Sequence, residues 1–255
     1  MKYKKILLFF LCLNLIFCAS SQKKLEKERE KNPKYQYNLG LFHLNNGNVD
    51  EAIKYLNRCL SLNPRYHLAF NALGLSYSMK RNFVESERCF KKCLEIEPAL
   101  TEAHNNLGII YMEMGFLDKA KKEFQIAIAD KSYNSRELPY FNLARLYLDL
   151  NKIQEALNYV TKSIEINSTM AMSLNLKGYI LERTNDFKGA INNYKKARKI
   201  VPDDVNLGFN LGVAYFKYNE FSKAKEVFEE IYSKTTDLQM KNKIDQYLKL
   251  INKNK

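Results

Sequence analysis

The side chains best suited to redox, metal or proton chemistry are few and poorly spaced for it. The chain has five cysteines, Cys12, Cys18, Cys59, Cys89 and Cys93, and three histidines, His43, His67 and His104. A zinc or redox site made of near neighbours needs a CxxC pair or a His at ligand spacing from a Cys. Neither occurs. Cys89 and Cys93 stand four apart, which on one helix is poor disulfide geometry. The zinc-protease HExxH, the GxSxG nucleophile turn and a glycine-rich phosphate loop are absent from the sequence. These residue types argue against an enzyme, and they call for no metal and no cofactor.

The elements that would position any site follow from a repeat. In residues 67–100, Leu73-Gly74 precedes Tyr77, then Phe90 and Cys93 follow, and Pro98 closes the unit. The skeleton recurs at Leu39-Gly40 with Ala52, Leu56, Cys59 and Pro64, and at Leu107-Gly108 with Tyr111, Ala120, Phe124 and Ala127. Gly40, Gly74 and Gly108 are 34 apart; Ala144 comes 36 later, and Gly178 and Gly212 resume the 34 spacing. A period of this length predicts stacked helical units. Each unit reads as two antiparallel helices, with the first pair at about Lys34–Asn46 and Val49–Leu62. Gly47, Arg81, Gly115, Asn151, Asn185 and Asn219 hold the turn slot, which favours Gly or Asn because the chain leaves a helix through a left-handed residue. Small residues at the Gly40 and Ala52 slots let the helices cross closely. Tyr77, Tyr111, Tyr147 and Tyr215, with His43 and Leu181 in the same slot, read as a packed stripe. Cys59 and Cys93 fall in a small apolar slot. Pro64, Pro98 and Pro202 stop their helices. Residues 131–139 carry the two extra residues and form the one irregular joint. Over 237–253, Ile244, Tyr247, Leu248 and Ile251 share one helix face, with Lys241, Lys243, Asp245 and Lys249 on the wet side. This is a capping helix, and the last repeat of an array needs one.

On these residues the chain resembles the tetratricopeptide repeat family, in six copies over 33–66, 67–100, 101–134, 137–170, 171–204 and 205–238, with the cap at 239–255. The resemblance implies an all-α, right-handed superhelical solenoid that binds a protein or peptide along its first helices. Carried over by offset from the Leu-Gly pair, its ligand-facing positions are Asn38, Asn106, Asn142 and Asn210, preceded by Asn71, Asn105 and Asn175. One turn on come Leu41, Leu75, Ile109, Arg145, Tyr179 and Val213. Asn amides can both donate to and accept from the main chain of a bound segment, and the apolar row can bury its side chains. The charge clamp of relatives that hold C-terminal carboxylates is not reproduced, since Tyr37 and Leu41 stand where it needs Lys and Asn.

The start of the chain is of another kind. Lys2, Lys4 and Lys5 precede an apolar run, Ile6–Phe17, and then small residues. This is the layout of an export signal over 1–17. The run is short of the ~20 residues a membrane span needs. Leu15-Ile16-Phe17-Cys18 resembles a bacterial lipoprotein box, with Phe17 a departure from the small residue usual there. The resemblance implies Cys18 as a lipid-carrying first residue and 18–32 as a polar tether, which places the protein on the bacterial cell envelope. The chain carries +13 overall. Its lysines are spread among glutamates along the helices, the pattern of a solvated basic surface rather than a nucleic-acid patch. The architecture resembles the tetratricopeptide lipoproteins that assemble the type IV pilus secretin. The barrel-assembly lipoprotein, or an adaptor recruiting cell-wall enzymes, is the alternative.

Overall fold

The computed structural model describes residues 28–253. The expected signal, Cys18 and most of the tether lie outside the described residues. Helices α1 (Pro33–Asn45) and α2 (Val49–Leu62) make the first pair, α3 (His67–Met79) and α4 (Phe83–Ile96) the second. Next come α5 (Thr101–Glu113) and α6 (Leu117–Ala129), then α7 (Glu137–Asp149) and α8 (Ile153–Ile166). The last pairs are α9 (Ala171–Arg183) with α10 (Phe187–Ile200) and α11 (Val205–Lys217) with α12 (Phe221–Lys234), followed by α13 (Leu238–Lys253). No strand occurs among the described residues, and no helix there is long and apolar enough to cross a membrane. The helices form two compact units, one of α1–α5 up to Phe116 and one of α6–α13 from Leu117.

One turn is used six times. Gly47, Arg81, Gly115, Asn151, Asn185 and Asn219 all have positive φ, between 56° and 78°. The amide of the next residue then reaches back to the Tyr-slot carbonyl. Asn48 donates to His43 O at 2.9 Å, Asn82 to Tyr77 O at 2.9 Å and Lys152 to Tyr147 O at 2.8 Å. This closes the helix end as a Schellman turn does. Arg81 is the exception in residue type but not in geometry. Its φ of 56° is one an L side chain adopts at a cost, and its guanidinium rests 5.4 Å from the Phe83 ring centre.

In the first, second, fifth and sixth pairs the helices cross at the small slot. A methyl added at Gly74 would stand 2.6 Å from the Phe90 ring, at Gly178 2.6 Å from Tyr194, at Gly212 2.6 Å from Phe228, and at Gly40 2.7 Å from Leu56. All four partners are fully buried. Copy four has Ala144 in the glycine slot and Val160, a smaller side chain, sixteen residues on. From the other helix Ser86 Oγ donates to Gly74 O at 2.7 Å, which satisfies a carbonyl at the crossing.

Helix α7 starts at Glu137, where the repeat count begins the fourth copy, and Pro139 is buried in its first turn, where no amide hydrogen is needed. At the C-terminus Ile244 and Ile251 are fully buried. Tyr247 stacks on Phe228 at 5.2 Å and meets Phe216 edge-on at 5.3 Å. Lys241, expected on the wet face, is half-buried with its ammonium 5.0 Å from the Tyr232 ring centre. The aliphatic stem packs while the charge stays at the rim. Cys59, Cys89 and Cys93 are free thiols in the interior. Burial pushes Cys59 and Cys89 up to about 11 and Cys93 to about 12.

Candidate partner-binding groove

The expected ligand-facing residues separate into three depths. Asn38 and Tyr179 are exposed. Asn106, Asn175, Asn210, Leu41, Leu75 and Ile109 are half-buried. Asn71, Asn105 and Asn142 lie beneath the surface, at 6%, 3% and 5% exposure, and Val213 is also buried. These four are out of reach of a bound segment and act as supports. For Asn71 the cause is the stacking: two residues before its Leu-Gly pair, its side chain turns toward α5 of the next copy.

That geometry joins asparagines 35 residues apart. In the first unit Asn106 Nδ2 donates to Asn71 Oδ1 at 3.4 Å, and Asn71 Nδ2 donates to Glu102 Oε1 at 3.2 Å. In the second unit Asn210 Nδ2 donates to Asn175 Oδ1 at 3.0 Å. The second pair therefore spends only half of its amide groups internally. The Asn175 NH2 and the Asn210 carbonyl are left over, one donor and one acceptor side by side.

Around this second pair the structure opens a groove of ≈ 470 Å³. Helix α7 contributes Phe141, Arg145, Leu148 and Asp149; helix α9 contributes Met172, Asn175, Leu176 and Tyr179; helix α11 contributes Asn210. Phe141, Leu148, Met172, Leu176 and Tyr179 give an apolar floor. Met172 and Tyr179 keep 57% and 45% of their surface in water. On α9 the positions 172, 175, 176 and 179 follow i, i+3, i+4, i+7, the spacing of one helix face. Met172 and Asp149 were not among the residues the sequence singled out, although Met172 completes that stripe. At the margin Glu182 is committed elsewhere: it accepts from Lys217 Nζ at 2.7 Å and from the Tyr194 hydroxyl at 3.1 Å. Burial, then the Glu182 carboxylate, raises the Tyr194 phenol well above its ordinary value, so it stays a donor. The groove thus presents apolar surface, one amide donor, one amide acceptor, one guanidinium and one carboxylate. Nothing in it is arranged as a nucleophile with a base. Among the described residues no cluster of His, Cys, Asp and Glu could hold a metal ion.

Helix pairs joined by left-handed turns, with small residues at each crossing, define a repeat scaffold for protein–protein contact. Tetratricopeptide repeat models match residues 33–66, 68–100 and 101–129. The model of the C-terminal ARM domain of tetratricopeptide repeat protein 21 matches residues 117–244. The chain belongs to the tetratricopeptide repeat family. It is 35% identical over 54 residues to the photosystem I assembly protein Ycf3 of Rippkaea orientalis, covering 21% of this chain and 31% of the relative. It is 24% identical over 243 residues to the Drosophila melanogaster homologue of the BBSome complex member BBS4, covering 77% of this chain and 50% of the relative. It thus spans about a third and a half of the lengths of these two relatives. Among solved structures, PilF of Pseudomonas aeruginosa superposes with a TM-score of 0.75 at 17% identity, over 86% of this chain and 99% of that one. PilW, described as a widely conserved type IV pilus biogenesis factor, gives 0.71 at 16% identity, over 81% and 96%. YrrB, described as having an unusual peptide-binding site, gives 0.55 at 17% identity, over 75% and 97%. At these identities the likeness is one of fold.

Proposed function

We propose that the protein is an exported scaffold of the bacterial cell envelope, anchored by lipid at Cys18, whose groove on α7, α9 and α11 holds an apolar peptide or helix of an assembly partner. The observation that carries the groove is the pairing of an unspent Asn175 donor and Asn210 acceptor with an exposed apolar row. A bound main chain needs both kinds of amide group, and its side chains need somewhere dry. The anchoring is supported by the basic start, the short apolar run and the Leu-Ile-Phe-Cys sequence. Two acyl chains hold a protein on a membrane where one is marginal. The type IV pilus reading is supported by likeness in fold to PilF and PilW along nearly the whole length of both.

Two experiments test these parts separately. A mass spectrum of the processed protein is expected to show a chain starting at Cys18 with added acyl mass; an unmodified start near Ser20 or Ser21 would remove the anchor. Partner recovery from cross-linked membranes is expected to include a secretin and to fall when Asn175, Tyr179 and Asn210 are changed together to Ala. Recovery unchanged by that substitution would move binding off the groove and favour an adaptor that grips folded enzymes by another surface.

A further inference from the structure

The second unit has another pocket, of ≈ 430 Å³, between the second helices of its last two repeats, and its walls are basic. Helix α10 contributes Lys195, Arg198 and Lys199, at i, i+3 and i+4 on one face; helix α12 contributes Lys223 and Lys234. Two carboxylates, Glu226 and Glu230, stand against these five cations. The ion pairs use only part of the charge. Glu230 accepts from Arg198 at 2.8 Å and from Lys234 at 3.1 Å; Lys234 also reaches Asp203 at 3.0 Å, and Lys223 pairs with Glu220. Lys195 and Lys199 have no ion-pair partner among the described residues. They stand four apart on one helix, where like charges repel. Arg198 leaves its buried Nε hydrogen without an acceptor, which costs free energy.

Stacking does not require this set. One repeat earlier, the counterparts of Lys195, Arg198, Lys199, Lys223 and Lys234 are Thr161, Ile164, Glu165, Gly189 and Ile200. The array is therefore built without a cation at any of these slots, and Lys199 reverses the charge of its counterpart. We propose that the pocket binds a phosphate group, held by Lys195, Lys199 and the Arg198 guanidinium. A carboxylate brings two oxygens and one charge. A phosphate ester brings three oxygens and close to two charges, which suits several cations crowded on one wall, and the planar arginine fork matches its oxygens. Glu226 is the one lining carboxylate without an ion pair, and the two free lysines outnumber it. The phosphate belongs either to a soluble ester or to a lipid headgroup. The inference needs neither the groove on α7, α9 and α11 nor a lipid at Cys18.

The test uses the full chain in phosphate-free buffer, with inorganic pyrophosphate as the probe. Calorimetry is expected to show binding that weakens roughly tenfold in the double variant Lys195→Gln, Lys199→Gln, the combined worth of two exposed ion pairs. The control is Lys188→Gln with Lys196→Gln, which removes the same charge from exposed positions of the same helix outside the pocket; it should bind nearly as the unmodified chain does. Acylation of lysines, mapped by mass spectrometry, then locates the ligand. Pyrophosphate should slow labelling of Lys195 and Lys199 and leave Lys188 and Lys196 unchanged. The same protection from phosphatidylglycerol vesicles, and none from phosphatidylcholine vesicles, assigns the phosphate to a lipid headgroup; protection by pyrophosphate alone assigns it to a soluble ester. Equal weakening by the two double variants would reduce the effect to diffuse charge and overturn the proposal. So would no protection from either probe, or equal protection by a polyglutamate peptide, which assigns the pocket to an acidic protein segment.

Discussion

Replacing Gly74 by alanine puts a methyl 2.6, 2.7 and 2.8 Å from three atoms of the Phe90 ring, where ordinary contact begins at 3.4 Å. The ring edge must therefore retreat by most of an ångström, and Phe90 is fully buried with no free side to retreat into. Overpacking of this kind costs about 1–3 kcal/mol, and the pinned ring sets it near the top. Alanine returns about 1 kcal/mol as a better helix former, which leaves a loss of about 2 kcal/mol. Phe90→Val alone opens a cavity and costs about 2–3 kcal/mol, less than the ~3–5 of Phe→Ala. The double variant recreates the Ala144 and Val160 combination of the fourth copy. There the methyl meets no ring and fills part of the cavity, so Gly74→Ala changes sign and stabilises by about 1 kcal/mol. Urea unfolding of the four chains measures the coupling, predicted at about 3 kcal/mol. A Gly74→Ala loss of equal size in both backgrounds would refute the close-approach argument and require another reason for the glycine.

Arg81→Asn, at φ 56°, is expected to stabilise by roughly 0.5–1 kcal/mol after forfeiting the contact with Phe83, read as a higher urea midpoint. The Arg198 hydrogen bond first, then Lys234, holds the Glu230 carboxyl below its ordinary value. A carboxylate with a depressed folded value adds stability above its unfolded value and loses it as pH falls through the folded one. Glu230→Gln should therefore lower stability at pH 7, and the difference should shrink as pH falls below the ordinary glutamate range, as followed by thermal melts from pH 7 downward. Because burial holds the Cys59, Cys89 and Cys93 thiols at about 11 to 12, a thiol reagent at pH 7.5 should leave all three unlabelled in the folded chain and label them in urea. Peptide mapping by mass spectrometry reads this directly. Removal of α13 should expose the faces beneath Ile244 and Tyr247 and fray α11 and α12 first, since stacking is between neighbours; hydrogen exchange confined to that end is the expected result.

Much of the fold was legible because each slot demands one residue property. Gly or Asn at the turn, a small residue at the crossing and a large one sixteen residues on are local requirements, and a sequence shows them directly. Arg81 shows where that stops. Its left-handed conformation is imposed by the helices on either side, so the residue type misleads while the spacing does not. The depth of the groove residues was hidden for a different reason. Asn105 and Asn106 are adjacent and chemically identical, yet one is buried and the other half-open. Asn106 reaches back 35 residues to Asn71 on α3, a tertiary relation with no local mark. Pro139 sits within α7 because its missing amide hydrogen falls in the first turn.

The groove of the second unit carries the functional account, and a photo-crosslinking side chain placed at Tyr179 tests it most directly. The control is the same side chain at Asn158, an exposed position on α8. The account predicts a covalent adduct with one partner protein from position 179 in living cells, absent from 158, and lost when Asn175 and Asn210 are both alanine. An adduct from 158 and none from 179 would contradict it and place the partner on the second helices of the repeats.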